Sequence, residues 1–173
     1  NPDVFWENNV EKSKPLFEWC RQTNTRILYA SSSAVHEWWI NPYAITKKVN
    51  EVQAPPNSVG MRFFNVWAEK DSRSDMLYRM LQENTAKYLT RHRRDWIHVH
   101  DVARAICFLM PDKYRGVIDV GTGKTTSVLE LAEKMGKGHL PIKEDTPGER
   151  DETCADTTEL TKLGWHPTIN ILD

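Results

Sequence analysis

With 173 residues, of which 39% are hydrophobic and 27% charged, the chain is long enough for one good-sized globular domain or most of a larger one. Its formal net charge of −1 argues against a broad electrostatic attraction to nucleic acid or to an anionic membrane surface. Three widely separated cysteines, Cys20, Cys107 and Cys154, argue against a disulfide framework or a zinc site and predict a reducing, cytoplasmic location.

Helical and strand patterns alternate along the first half of the sequence, which favours an α/β fold with a parallel sheet. Pro2 opens a helical stretch that runs to about Gln22, and Pro15 is expected to kink it. The predicted elements that follow are a short buried strand at 25–30, a helix that ends near Ala54, and a strand at 59–66.

The second half continues the alternation. The predicted elements are a helix at 74–84, a strand at 95–99, a helix at 100–110, a strand at 116–120 and a helix at 127–135. Ser127 followed by Glu130 is the signature of a capping box at the start of the last helix. No apolar run approaches the length of a membrane span, and no signal peptide is visible. His98-x-His100 has no evident third ligand, so we expect no metal site.

The most informative chemical pattern is Tyr43-x-x-x-Lys47, which follows the serine run Ser31, Ser32 and Ser33 at the end of a predicted strand. On a helix, residues four apart lie on one face, about one turn from each other. An ammonium group beside a phenol stabilises the phenolate, and a nearby serine hydroxyl can bond the same substrate oxygen. Such a trio suits reversible removal of a proton from a carbinol while a hydride leaves the carbon. By itself, this spacing is more often a half-buried ring beside a solvated lysine.

The segment from Gly121 to Thr126 is similar to the end of a phosphate-binding Walker A loop. The first glycine of Gly-x-x-x-x-Gly-Lys-Thr would fall at position 118, which is Ile118. We therefore interpret the segment as a glycine turn between a strand and a helix.

Seven short segments form an ordered pattern that spans nearly the whole chain. They are Asn8-Asn9-Val10, Tyr29-Ala30-Ser31-Ser32-Ser33-Ala34-Val35, Arg62-Phe63-Phe64-Asn65-Val66, the segment at 94–102, Val120-Gly121-Thr122-Gly123, Ala155-Asp156 and Leu163-Gly164-Trp165-His166-Pro167. In this order they resemble the extended short-chain dehydrogenase/reductase family, specifically its NAD-dependent nucleotide-sugar epimerases and dehydratases. Among the subgroups, the heptose 6-epimerases look nearest.

The resemblance implies roles for individual residues. Ser32, with Ser33 as the alternative, is the hydroxyl position, Tyr43 the catalytic acid/base, and Lys47 its partner. The implied cofactor-binding positions are Asn9, Ala30, Ser31, Tyr43, Lys47, Phe64 and Val66. The implied substrate-binding positions are Ser33, Asn65, Arg94, Glu149 and Arg150. Arg94 suits a phosphate because of its planar fork, although it is alternatively a surface charge paired with Asp95 or Asp101.

The family's fold is a Rossmann-like doubly wound parallel sheet with a small C-terminal α/β subdomain that binds substrate. We expect 1–66 to be the C-terminal part of the dinucleotide-binding domain and 67–173 to be mainly the substrate subdomain. A strand and a helix around 95–125 should return to the main sheet. NAD is the favoured cofactor, with NADP as the alternative.

The sequence also departs from the family pattern. No Gly-x-x-Gly-x-x-Gly follows a first strand, so we expect these residues alone not to hold NAD(P) tightly. Only ten residues separate Ser32 from Tyr43, and His36 stands where a tyrosine is common. Thr146 replaces a phosphate-binding arginine, while Glu149 keeps an acidic position and Arg150 is a candidate substitute.

Two functions remain open from the sequence. The first is an NAD(P)-dependent epimerase or dehydratase that forms a transient keto-sugar on a nucleotide-activated sugar. The second is a non-catalytic module of the same family that binds a sugar nucleotide or dimerises. By analogy with the family, the helices that carry Asn9 and Tyr43 are expected to form a four-helix bundle across a homodimer. We expect no nucleic-acid or membrane partner.

Overall fold

The computed structural model describes residues 1–70, 76–144 and 149–173. The chain divides into two compact units: unit 1 contains 1–63 and 105–120, and unit 2 contains 64–104 and 121–173. The helices are α1 (Pro2–Trp6), α2 (Lys14–Thr23), α3 (Pro42–Gln53), α4 (Leu77–Gln82), α5 (Val99–Leu109), α6 (Val128–Lys134) and α7 (Thr158–Leu163). The strands are β1 (Ile27–Ser32), β2 (Ser58–Phe63), β3 (Asn65–Trp67), β4 (Arg93–Arg94), β5 (Trp96–His98), β6 (Gly116–Val120), β7 (Thr126–Ser127) and β8 (Glu152–Thr153).

Unit 1 is built on a parallel sheet of three strands in the order β1-β2-β6. Tyr29 of β1 packs edge-to-face on Phe17 of α2, with ring centroids 5.3 Å apart. The neighbouring position on β2 is Gly60, where a Cβ would collide with the Tyr29 hydroxyl. The α/β class with a parallel sheet, predicted from the alternation, is confirmed.

The predicted helix from Pro2 to about Gln22 is wrong as one continuous element. After α1 the backbone forms a π-helical turn, Glu7–Glu11, in which Lys12 N donates to the carbonyl oxygen of Glu7. A new helix, α2, then begins with Pro15 in its first turn. Proline is tolerated there because its missing N–H would have no partner inside the helix.

The predicted strand at 59–66 is also wrong in its extent. β2 ends at Phe63, and Asn65 opens the separate strand β3, which pairs in parallel with β5 in unit 2. The start of the predicted helix at 74–84 lies outside the described residues, and the helix seen there is α4. The predicted strand at 116–120 is confirmed as β6.

Unit 2 contains two small sheets, β3-β5 and β7-β4-β8. Its core cluster consists of Trp67, Leu81, Leu89, Trp96, Val128, Leu131, Ala132 and Ile171. The capping box predicted for α6 is confirmed, because the Ser127 hydroxyl accepts from Glu130 N and the Glu130 carboxylate accepts from Ser127 N. Within the described ranges, no helix is both long enough and apolar enough to cross a membrane.

Candidate active site

Tyr43 and Lys47 lie one turn apart near the start of α3. The Asn41 side chain caps this helix by accepting a hydrogen bond from Ala44 N at 2.9 Å. Lys47 Nζ lies 5.7 Å from the centroid of the Tyr43 ring and donates a 3.0 Å hydrogen bond to the carbonyl oxygen of Ala30. Burial lowers the pKa of Lys47 below its ordinary value. The lysine is therefore held beside the phenol ring and close to the carboxyl end of β1.

The N-terminal helical segment supports α3 through two further contacts. The Phe5 ring of α1 meets the Tyr43 ring edge-to-face, with centroids 5.6 Å apart. The Asn9 side-chain amide donates to Thr46 Oγ1 at 2.9 Å, and that hydroxyl donates to the Tyr43 carbonyl oxygen at 2.8 Å. Asn9 thus links the π-helical turn to α3, while its expected contact with a cofactor stays a prediction.

The three adjacent serines have different surroundings. The Ser31 side chain is buried, and its hydroxyl donates to Glu51 Oε1 at 2.7 Å. Ser32 ends β1 and caps the following 3-10 helix, 33–37, because its Oγ accepts a hydrogen bond from Ala34 N at 3.2 Å. Ser33 is the first residue of that helix and is half-buried. Ser32 Oγ acts as the acceptor in this contact, and its catalytic role stays a prediction.

A buried ionic network lies behind these residues and was missed from the sequence. Ser31, Arg62 and Asp119 occupy neighbouring register positions on β1, β2 and β6, and we call them the polar row. Glu51 of α3 accepts from Arg62 Nε at 2.7 Å and from Arg62 Nη2 at 2.8 Å. His36 Nε2 lies 3.0 Å from Asp119 Oδ2. Charged residues in otherwise apolar strands, Arg62 and Asp119, were the available signal in the sequence.

The environment of Glu51 keeps its carboxylate ionised. Burial alone would raise the pKa of Glu51, but hydrogen bonds from Arg62 and Ser31, with the charges of Arg62 and Lys48, hold it below its ordinary value. The Glu51 hydrogen bonds in turn raise the pKa of Arg62. The Glu51 side chain is 4% exposed and that of Arg62 18% exposed, so this is a largely buried, two-pronged ion pair.

The predicted substrate residue Arg94 lies in unit 2 and contacts another predicted residue, Glu149. Arg94 Nη2 and Glu149 Oε2 are 3.2 Å apart, and His92 Nδ1 lies 3.2 Å from the same carboxylate oxygen. Arg94 Nη1 also donates to the carbonyl oxygen of Asp151 at 3.1 Å. Burial is the main cause that lowers the pKa of Arg94, and the charge of Arg150 acts in the same direction. The substrate roles of these residues stay predictions.

Asp95 and Asp101, the alternative partners considered for Arg94, accept other hydrogen bonds. Asp101 is buried and accepts from Thr168 N at 2.9 Å and from Arg104 Nη1 at 2.6 Å. The bonds to Asp95, which is fully buried, come from Thr122 N, Thr122 Oγ1, Gly123 N and Ala155 N. The backbone of the turn that is similar to a Walker A loop thus binds a carboxylate of this chain.

The remaining predicted positions also lie in unit 2. Phe64 is buried, while Asn65 and Val66 are half-buried on β3. The Asn65 backbone N–H donates to the carbonyl oxygen of Asp95 at 3.0 Å. Thr146 lies outside the described residues. The expected contacts of Phe64, Asn65 and Val66 with cofactor or substrate stay predictions.

A cleft of about 340 Å³ lies beside Glu149 in unit 2. Its lining residues are Leu77, Met80, Thr85, Lys87, Tyr88, Thr90, Val128 and Glu149. Apolar walls with a few polar groups are typical of small-molecule sites. Across the part of the chain that the structure describes, no group of three or more His, Cys, Asp or Glu side chains is placed to hold a metal ion.

Comparison with known proteins gives both sequence and structural relatives. The family model described as "NAD dependent epimerase/dehydratase family" matches residues 39–121. An ADP-L-glycero-D-manno-heptose-6-epimerase of Alkalilimnicola ehrlichii is 25% identical over 212 residues, covering 96% of this chain and 66% of the relative. The chain thus spans about two thirds of the length of that relative.

Three solved structures share the fold. The NAD-dependent NDP-hexosamine 5,6-dehydratase TunA, of tunicamycin biosynthesis, matches with a TM-score of 0.83 and 23% identity over 99% of this chain and 67% of that one. UDP-glucuronic acid 4-epimerase of Bacillus cereus, in complex with UDP-glucuronic acid and NAD, matches with a TM-score of 0.80 and 22% identity, covering 97% of this chain and 65% of that one. UDP-glucose 4-epimerase of Thermotoga maritima, with UDP-glucose, matches with a TM-score of 0.81 and 20% identity, covering 99% of this chain and 68% of that one. The solved structures show that the chain shares the fold of these epimerases and this dehydratase, and its sequence is similar to the NAD-dependent epimerase/dehydratase family model and to the heptose-6-epimerase.

Proposed function

We propose that the chain supplies the proton-transfer site of an NAD-dependent epimerase or dehydratase that acts on a nucleotide-activated sugar. The observation that carries this proposal is the Lys47 ammonium, held beside the Tyr43 ring and on the Ala30 carbonyl oxygen at the end of β1. The carboxyl edge of an open parallel sheet is where ligands bind in such folds.

The residues at this edge fit the nicotinamide ribose of NAD. Lys47 uses one of its three N–H groups on Ala30, and the other two have no hydrogen-bond partner among the residues that the structure describes. A half-buried ammonium with unused donors suits a ribose hydroxyl. NAD, when bound, supplies the acceptor and the donor of the hydride.

Three side chains of unit 1 take part in the proton transfer. Tyr43 takes the proton from a sugar hydroxyl, and the Lys47 ammonium stabilises the phenolate that Tyr43 needs for this step. Ser32 donates its hydroxyl proton as a hydrogen bond to the same substrate oxygen. The carbinol becomes a transient keto-sugar, which is either reduced from its other face or loses water.

The cleft beside Glu149 is proposed to hold the nucleotide part of the substrate. The Arg94 side chain is only 11% exposed, and the fork of its guanidinium suits a diphosphate. The Glu149 carboxylate pairs with the Arg94 guanidinium in this structure, so an incoming diphosphate would replace that carboxylate as the partner of Arg94. UDP-glucuronic acid and UDP-glucose, which accompany two of the structural relatives, are of this nucleotide-sugar class.

We further propose a homodimer formed through the helices that carry Asn9 and Tyr43. Two exposed apolar side chains support this assembly: Trp6 of α1, just before the π-helical turn that carries Asn9, is 45% exposed, and Val52 of α3 is 75% exposed. The three free cysteines support a reducing location such as the cytoplasm.

The proposal is tested by incubating the protein and NAD with a panel that contains an ADP-heptose, UDP-glucuronic acid and UDP-glucose. Products are followed by NMR, with deuterium placed at the oxidised carbon of the substrate. Hydride transfer retains the deuterium in the product and slows turnover by a primary isotope effect. Tyr43→Phe is the matched variant, because it keeps the ring and removes the hydroxyl of the proposed acid/base.

Two outcomes would contradict this function. Exchange of the deuterium with water would show proton abstraction from carbon without hydride transfer. No change in NADH fluorescence on titration with the protein, together with no turnover, would favour the non-catalytic module.

A further inference from the structure

The polar row joins three strands of unit 1 at one level of the sheet. Ser31 pairs with Arg62 in the register of β1 and β2, and Arg62 pairs with Asp119 in the register of β2 and β6. The adjacent level, Ala30, Met61 and Ile118, is apolar. Three polar residues at one level of a buried sheet are costly unless each is paired.

Glu51 connects this row to the helix of the predicted acid/base. It lies eight residues after Tyr43 and four after Lys47 on α3. Its carboxylate accepts one bond from Ser31 and two from Arg62, all between 2.7 and 2.8 Å. A two-pronged arginine–carboxylate pair fixes orientation as well as distance. The helix is therefore tied to β1 and β2 one turn beyond Lys47.

The other end of the row reaches the segment that follows Ser32. Asp119 lies 3.7 Å from Arg62 Nη1 and pairs with His36 Nε2. His36 belongs to the 3-10 helix that Ser32 caps, and α3 packs against this helix. Through Glu51 and His36, the polar row thus connects α3, which carries Tyr43 and Lys47, with the 3-10 helix that Ser32 caps.

We propose that Glu51 and Arg62 are positioning residues for the reaction: through the polar row they hold α3 in the register in which Lys47 reaches the Ala30 carbonyl oxygen. In this proposal neither residue acts on the substrate directly. They act by fixing the place of Lys47 and Tyr43 on α3 relative to the end of β1. This inference rests on the proposed function, but its first test does not require turnover.

The first test is the titration of Lys47 by NMR, with lysine labelled at 13Cε and the Lys47 signal assigned by its loss in Lys47→Arg. Glu51→Gln removes the charge at nearly constant shape, and Arg62→Lys keeps the charge but loses the planar fork. We expect the pKa of Lys47 to rise toward the ordinary lysine value in both variants, because a released lysine regains water. Loss of a nearby negative charge alone would lower this pKa, so the sign distinguishes the two causes.

The matched control is Val59→Ala, which truncates a fully buried side chain of β2 at a position outside the polar row. It loses stability but should leave the Lys47 titration and the turnover number unchanged. In the NAD-loaded enzyme, Glu51→Gln should lower kcat about 10- to 100-fold with KM unchanged, since the reacting groups are displaced while substrate contacts remain.

An unchanged or lowered Lys47 pKa in folded Glu51→Gln overturns the inference, as does an equal loss of kcat in Val59→Ala. If Glu51→Gln does not fold, the Lys47 titration in Arg62→Lys decides in its place. If the wild-type protein turns over no nucleotide sugar, the proposed function fails while the Lys47 titration still decides whether the row positions α3.

Discussion

Lys47 Nζ donates a 3.0 Å hydrogen bond to the carbonyl oxygen of Ala30, which ties the first half of α3 to the carboxyl end of β1. Tyr43 lies one turn before Lys47, and the Phe5 ring packs on its phenol ring. These contacts hold the phenol and the ammonium on one face of the helix. The following predictions depend on this arrangement and on the buried groups around it.

Replacing Tyr43 by phenylalanine should abolish proton transfer and leave the fold intact. The ring contact with Phe5 is kept, so the melting temperature should change little. We expect kcat to fall about 10²- to 10⁴-fold, the usual contribution of a general base. The measurement is steady-state turnover beside thermal unfolding, with Tyr78→Phe as the control that removes a phenol hydroxyl in unit 2. Full activity of Tyr43→Phe would contradict the assigned role.

Replacing Lys47 by methionine should raise stability at pH 7 while it removes activity. The pKa of Lys47 is lowered by burial, so the unfolded chain binds more protons than the folded one between the folded and the ordinary pKa. The free energy of unfolding of the wild-type protein therefore rises with pH across that window. The extra stability of Lys47→Met over the wild-type protein shrinks accordingly. Thermal unfolding of both proteins from pH 7 to pH 10 measures this difference. A difference that does not change with pH would argue against a desolvated lysine.

Replacing Arg62 by methionine should destabilise the protein strongly. The change removes both Arg62 hydrogen bonds from the buried Glu51 carboxylate, and breaking such a buried pair costs about 3–5 kcal/mol. The matched control is Arg91→Met, which breaks the ion pair with Glu144 at the surface, where both side chains are more than half exposed. Because solvent screens that pair, its loss should leave the free energy of unfolding nearly unchanged. Urea unfolding of both variants provides the comparison.

Replacing Asp95 by asparagine should destabilise unit 2 near the turn at 121–123. An asparagine NH₂ in place of one carboxylate oxygen would face backbone N–H groups, and each buried donor left without an acceptor costs about 1–3 kcal/mol. Hydrogen exchange should accelerate at the Thr122 amide if the NH₂ replaces Oδ1, or at the Gly123 and Ala155 amides if it replaces Oδ2. The control is Asp151→Asn, at an exposed position. Unchanged protection of all three amides would contradict the assigned bonds.

Local sequence patterns predicted the parts of the fold that local chemistry decides. Ser127 and Glu130 form the predicted capping box, since both partners lie within one turn of each other. The strand predicted at 116–120 is β6. Tyr43 and Lys47 were selected because a spacing of four on a helix fixes their shared face.

Elements decided by distant partners were predicted less well. The strand expected at 59–66 breaks at Phe64 because Asn65 pairs with β5 rather than continuing β2. Glu51 and Asp119 were missed because their pairing with Arg62 depends on strand register, which the sequence does not reveal. The break after α1 depends on a π-helical turn with no strong local signal.

The proposed dimer provides the last prediction. Val52 lies on α3, the helix that carries Tyr43, and it is 75% exposed. A charge at Val52 would lie in the proposed interface, where an unpaired ion is costly. We therefore expect light scattering to give a dimeric mass for the wild-type protein and a monomeric mass for Val52→Glu. Leu172→Glu, at an exposed apolar position of unit 2, should remain dimeric, and a monomeric wild-type protein would refute the assembly.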